Sequence, residues 1–169
     1  KLKMFNRDVD SVMPEYSSDY VPRKRWLKPE DIDAVLSHIE PGRGAALAYA
    51  LAFAVDRSAV FRAERNDVGK SQAYIRGTKN TNRARPVPRL SIFEKYVRFA
   101  LDYADGEGAL LFRKWSMGSD LRDIARACKR AGVESFTWID LRRTAASWLV
   151  QAGVPYEVAA KFMGHGSTI

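Results

Sequence analysis

The sequence predicts a mainly α-helical domain with one small antiparallel β-sheet, an α+β arrangement. Three observations support this. Apolar residues recur at helical spacing in several segments that are punctuated by glycine and proline. Two short runs of β-type residues flank one polar, turn-forming stretch. No internal repeat or low-complexity tract interrupts the chain, and its 169 residues suit one compact unit or one unit with a tail.

Residues 1–26 lack a sustained period and mix Pro14, Ser17, Ser18 and Pro22 with charges, which predicts an arm or linker. A helix is expected from Pro29, where the fixed φ of proline suits a first turn and Glu30 and Asp31 meet the positive end of the dipole. Ile32, Val35, Leu36 and Ile39 form its buried stripe, and Pro41-Gly42 is read as its stop. Ala45–Val55 has no polar face and predicts a helix enclosed on most sides. Ser58 is read as the N-cap of a further helix running to about Arg65.

The pattern then changes. Gln72–Arg76 and Ala84–Pro88 are candidate strands of a hairpin around the polar run Gly77–Arg83. Ser91 is expected to cap a helix with Phe93, Tyr96, Val97, Ala100 and Leu101 inward, and Ala109–Phe112 reads as a short apolar strand. Ser119 should open a helix that buries Leu121, Ile124, Ala125 and Cys128 and ends at Gly132. Asp140–Ala152 reads as helix up to Gly153, and Pro155 starts a last helix to Met163 in which Tyr156 is read as packing.

Lys and Arg number 28 against 20 Asp and Glu, and the resulting +8 makes a polyanion the first partner to test. Nine of those cations lie in residues 57–89 against only Glu64 and Asp67, so most of the surplus sits in one fifth of the chain and suggests a phosphate-facing surface. No apolar run approaches the roughly 18 residues of a membrane span. The single cysteine, Cys128, excludes an internal disulfide framework and reads as core. His38 reads as a surface residue. A cytoplasmic, nucleoid-associated protein with no membrane partner is the expectation.

The block Asp140-Leu141-Arg142-Arg143-Thr144, followed by Ala152-Gly153 and then Met163-Gly164-His165-Gly166-Ser167, resembles the catalytic domain of tyrosine recombinases, the phage integrases. Arg76-Gly77-Thr78-Lys79-Asn80 with Arg85-Pro86-Val87-Pro88 is similar to that family's Thr-Lys hairpin. The likeness covers about residues 27–169 and implies the recombinase catalytic fold. It also implies a chemistry that needs neither metal nor cofactor, in which a tyrosine attacks a DNA phosphodiester and forms a covalent phosphotyrosyl link. Arginines hold the charge that builds on the nonbridging oxygens, while lysine and histidine move protons.

Carried over by position, the resemblance assigns Arg142 as the second catalytic arginine, Lys79 as the hairpin lysine and His165 as the later histidine. Arg76, Lys79, Arg83, Arg85 and Arg143 are the expected DNA contacts. Three departures accompany these matches. Position 139, where the family places a histidine, holds Ile139, which cannot transfer a proton. The ungapped register puts Asp56 at the first arginine position and Ala59 at the acidic position, and only a one-residue deletion makes Arg57 the equivalent arginine. An aspartate there would repel a phosphate. The family's nucleophilic tyrosine follows the Gly-His-Ser segment, and Lys1–Ile169 holds neither a match to that tyrosine nor one to the family's amino-terminal core-binding domain; truncation and genuine loss both stay open.

The favoured reading is a recombinase-fold domain that binds duplex DNA and cannot cleave it as this chain, either self-associating or joining another recombinase on DNA. An active integrase domain seen without its tyrosine is the alternative. A helix-turn-helix regulator spanning Leu141–Met163 with Gly153 in the turn is a further one. A basic domain with no nucleic-acid role stays open beside them.

Overall fold

The computed structural model describes residues 25–77, 84–116 and 118–165. Helix α1 (Pro29–Leu36) buries Ile32, Val35 and Leu36, the stripe expected from their spacing. Pro41 does not end that helix. It is the first residue of α2 (Pro41–Ala52), whose N-cap is Glu40, with side-chain oxygens accepting from the backbone N–H groups of Gly42 and Arg43 at 3.1 and 3.0 Å. A proline after an acceptor side chain is a start signal as readily as a stop, because its missing N–H is one the first turn leaves unpaired anyway.

Every residue from Gly44 to Ala52 is buried, so α2 is the central rod of the domain. It packs against α4 (Glu94–Asp102) and α6 (Trp138–Gln151), and α5 (Ser119–Ala131) lies against α1. Aromatic side chains fill the gaps between helices. Tyr49 meets Phe53 at a tilt and Phe112 edge-on, and Phe93 stacks on both Trp148 and Phe162. The chain entering α1 is fixed to α6 by its own backbone: Leu27 N–H donates to Thr144 Oγ1 at 3.0 Å, and Trp148 Nε1 donates to the Leu27 carbonyl at 2.9 Å.

The hairpin forms as expected, with β1 (Gln72–Ile75) antiparallel to β2 (Arg85–Pro88) and Ala73 opposite Val87 on the buried face. Lys79 and Arg83, expected from sequence on its turn, lie outside the described residues. Ala109–Phe112 is not a strand; it makes one bridge, Leu110 to Glu64, and otherwise turns. A 3-10 turn over Ser91–Phe93 leads into α4, so Ser91 is not that helix's cap. Leu121 is 46% exposed, against the expected inward position, while Ile124 and Cys128 are buried. Helix α7 (Tyr156–Phe162) begins after Pro155, and Tyr156 is 63% exposed rather than packed.

Candidate functional site

Three chain segments close one cavity of about 490 Å³, the start of helix α3 (Arg57–Val60), the start of α6, and the chain leaving α7 at Met163 and His165, and α5 lies behind it through Asp120. Asp56, Arg57, Trp138, Ile139, Arg142, Arg143, Met163 and His165 line it.

Helix α3 starts two residues earlier than the serine cap expected from sequence. Asp56 is its N-cap, with Oδ1 accepting from Ala59 N–H at 3.0 Å and from Ser58 Oγ at 2.7 Å. Asp and Ser are near-equal caps, so two candidates so close together are decided by where the chain turns. The turn is set just upstream, where Ala54 takes a left-handed φ of +49°. Arg57 therefore becomes the first helical residue. Its Nε donates to Asp120 Oδ2 at 2.5 Å, its Nη2 reaches the Trp115 carbonyl at 3.4 Å, and its guanidinium lies over the Phe61 ring.

Helix α6 opens on a reciprocal cap in which Thr137 N–H and Oγ1 both donate to Asp140 Oδ2 at 2.9 Å. That start places Trp138 and Ile139 on the cavity wall, with Ile139 56% exposed. One turn further on, Arg142 is 7% exposed and donates Nη1 to the Ala54 carbonyl at 2.5 Å and Nη2 to the Met163 carbonyl. Beside it Arg143 pairs with the buried Asp140 at 3.6 Å. Arg85 donates Nε to the Phe162 carbonyl at 3.1 Å. Arg85 and Arg142 thus satisfy successive carbonyls at the end of α7, where a helix leaves acceptors unpaired and favours cations, and they fix the chain that leads to His165.

Arg76 sits apart from the cavity. Its guanidinium forms a fork on Asp67, Nε to Oδ2 at 2.7 Å and Nη2 to Oδ1 at 2.9 Å, and also pairs with Glu64 at 2.9 Å. The hydrogen bond it donates to Asp67 is the main reason its pKa is raised further. Within the basic segment 57–89, Arg57, Arg76 and Arg89 all have carboxylate partners, so the segment's formal charge overstates what an approaching polyanion meets. Sequence reasoning missed Asp120. It is 3% exposed, and its Oδ2 accepts from Trp138 Nε1 at 2.8 Å as well as from Arg57. Burial works against its charged form, but the hydrogen bonds from Trp138 and Arg57 win, and its carboxyl is held below the usual range. The one available signal was its place in the first turn of a helix, which marks many surface aspartates equally.

A central buried helix, a small hairpin and an inward-facing arginine beside a histidine-bearing turn together define the fold of tyrosine recombinase catalytic domains. A model of the phage integrase family matches residues 26–168, and the chain belongs to that family. Salmonella phage P22 integrase is 29% identical over 160 residues, a span that is 84% of this chain and 41% of that protein. The chain therefore spans less than half the length of this relative. The XerA recombinase structure superposes with a TM-score of 0.68 at 21% identity, covering 88% of this chain and 58% of that one. The catalytic core of lambda integrase superposes with a TM-score of 0.62 at 17% identity, covering 80% and 90%. Among the described residues no helix is long and apolar enough to cross a membrane.

Proposed function

We propose that this chain binds duplex DNA through backbone phosphates at the cavity between α3, α6 and the end of α7, and that it does not cleave the strand it holds. The observation that carries the reading is Arg142, a guanidinium buried to 7% exposure on the floor of a cavity whose rim carries Arg57, Arg143 and His165. Planar guanidinium groups suit phosphate oxygens because they donate in parallel pairs. The same rim carries Ile139 where a proton-transferring histidine would be needed, and Asp56 beside the phosphate path. An apolar group cannot serve as acid or base, and a carboxylate opposes the charge that accumulates in phosphoryl transfer.

The family supports DNA recombination as the setting. Structural neighbours with the same fold include one recombinase bound to its DNA substrate and an integrase tetramer on a Holliday junction, which favours duplex DNA as partner and self-association on it. A competing reading, strand cleavage, draws on Arg57, whose guanidinium lines the same cavity one residue from Asp56.

Two measurements separate these. Anisotropy titration of a labelled duplex should show binding at low salt that weakens steeply as salt rises, because phosphate contacts release counterions. Binding that is absent, or indifferent to salt, sinks the proposal. Incubation with a nicked suicide duplex should leave no protein–DNA band that survives denaturation; such a band would establish cleavage instead.

A further inference from the structure

Arg57 and Trp138 line the cavity, yet the group that fixes both comes from neither of their helices. Asp120 lies in the first turn of α5, outside the cavity lining, and one oxygen, Oδ2, accepts from Arg57 Nε at 2.5 Å and from Trp138 Nε1 at 2.8 Å. We propose that Asp120 is a positioning residue for phosphate binding: it holds the Arg57 guanidinium against the cavity wall so that its remaining N–H groups are presented to a DNA phosphate. The inference rests on the reading of the cavity as a phosphate site.

The surroundings support an anchor rather than an incidental ion pair. Arg57's side chain keeps 32% of its surface exposed, while that of Asp120 keeps only 4%, so the carboxylate is the fixed partner and the guanidinium the one that faces outward. Behind them Phe61, Trp115 and Trp138 form a ring of aromatic contacts, with centroids 5.6–6.0 Å apart, that closes the pair off from water on the inner side. The Trp115 carbonyl takes a second N–H of the same guanidinium, and Phe61 packs beneath its plane. An arginine has many rotamers to lose on binding an anion; one already held on its inner edge loses fewer. The sharing of Oδ2 also couples the start of α3 to the start of α6, the two elements that carry Asp56 and Ile139.

The test is a double-mutant cycle on the whole chain, read by anisotropy on a short labelled duplex across a salt series, with thermal midpoints recorded alongside. Arg57→Ala should weaken binding about tenfold and lower the salt slope by about one phosphate contact. Asp120→Ala should weaken it by a similar factor alone and add nothing in the Arg57→Ala background. Asp120→Asn, whose carbonyl oxygen can still accept from both donors, should stay within about twofold of the parent. If the alanine variant shows no cooperative melting, Asp120→Ser takes its place, keeping a polar group in the first turn with no reach to Arg57. An unchanged affinity in Asp120→Ala, or in Asp120→Ser where it stands in, overturns the positioning role, and so does an equal loss with Arg57 already gone, which is what a purely structural role gives. An Arg57→Ala variant with parental affinity overturns the phosphate reading itself.

Discussion

Replacing Arg142 with methionine keeps most of the side-chain volume and removes both the charge and the two hydrogen bonds. Its guanidinium donates to the carbonyls of Ala54 and Met163, which lie in segments 88 and 21 residues away, and the side chain is almost fully enclosed. Each carbonyl left without its donor costs about 1–3 kcal/mol, while relief from burying a cation returns part of that. A net loss of roughly 3 kcal/mol is therefore expected. At roughly 2–4 °C per kcal/mol for a chain of this size, the thermal midpoint should fall by roughly 6–12 °C. DNA affinity should fall about tenfold at low salt, because a charge-assisted phosphate contact goes with it. Arg142→Lys keeps the charge and loses the planar fork, so it should recover part of the affinity and little of the stability. Calorimetry and anisotropy on the three proteins decide the matter, with the exposed Arg62→Met as a control expected within about 0.5 kcal/mol of the parent. A methionine variant that melts with the parent would show that the two carbonyls do not depend on the guanidinium, and the account of the cavity floor would be wrong.

Asp56→Asn should keep the cap on α3, since asparagine is as good an N-cap, and should tighten DNA binding roughly fivefold by removing about 1 kcal/mol of repulsion; unchanged or weaker binding counts against a phosphate path beside it. Trp148→Phe removes the donor to the Leu27 carbonyl and should cost about 1–2 kcal/mol in chemical denaturation. At Gly106 an added Cβ would come within 2.4 Å of the Leu110 carbonyl oxygen, so Gly106→Ala should lower the thermal midpoint distinctly, whereas Gly108→Ala, with nothing near, should suffer only the strain of its +59° φ. Because the folded state holds the Asp120 carboxyl below its usual range, its contribution is complete above about pH 4 and is lost as pH falls through the depressed value; thermal midpoints should drop on acidification in the parent and less steeply in Asp120→Asn.

Local signals account for what was legible in the sequence. Ile32, Val35 and Leu36 announced the buried face of α1 by spacing, the two runs around the polar turn announced the hairpin, and Gly132 and Gly153, with left-handed φ of +68° and +81°, ended helices where glycine was expected to. The misreadings are equally local. Proline followed by glycine at 41–42 carries both a stop and a start meaning, and the residue that decides is Glu40, which is not among the favoured caps. Leu121 lies on the outer side of α5, and a helical period with one ambiguous position cannot tell a broad apolar stripe from a narrow one. Residues of the motif around Arg142 line one cavity because they lie within one helix and one turn. Asp120 left no such trace, since its partners are 63 and 18 residues away and the pairing depends on how three helix starts meet.

The cavity also shows what a reversal of charge at position 56 would meet. Asp56 is not simply a negative charge on the same cavity as Arg142. It caps α3 through Ala59 N–H and holds Ser58 Oγ, and that turn aims Arg57 at Asp120. Putting an arginine at position 56 would remove the cap, at about 1 kcal/mol, and would set a second guanidinium beside the one already anchored. The added cation would therefore meet a reoriented α3 and a competing neighbour rather than an empty place waiting for it. Restoring charge and keeping geometry are opposed at this position, so a gain in phosphate affinity is reached more directly by neutralising Asp56 than by reversing it.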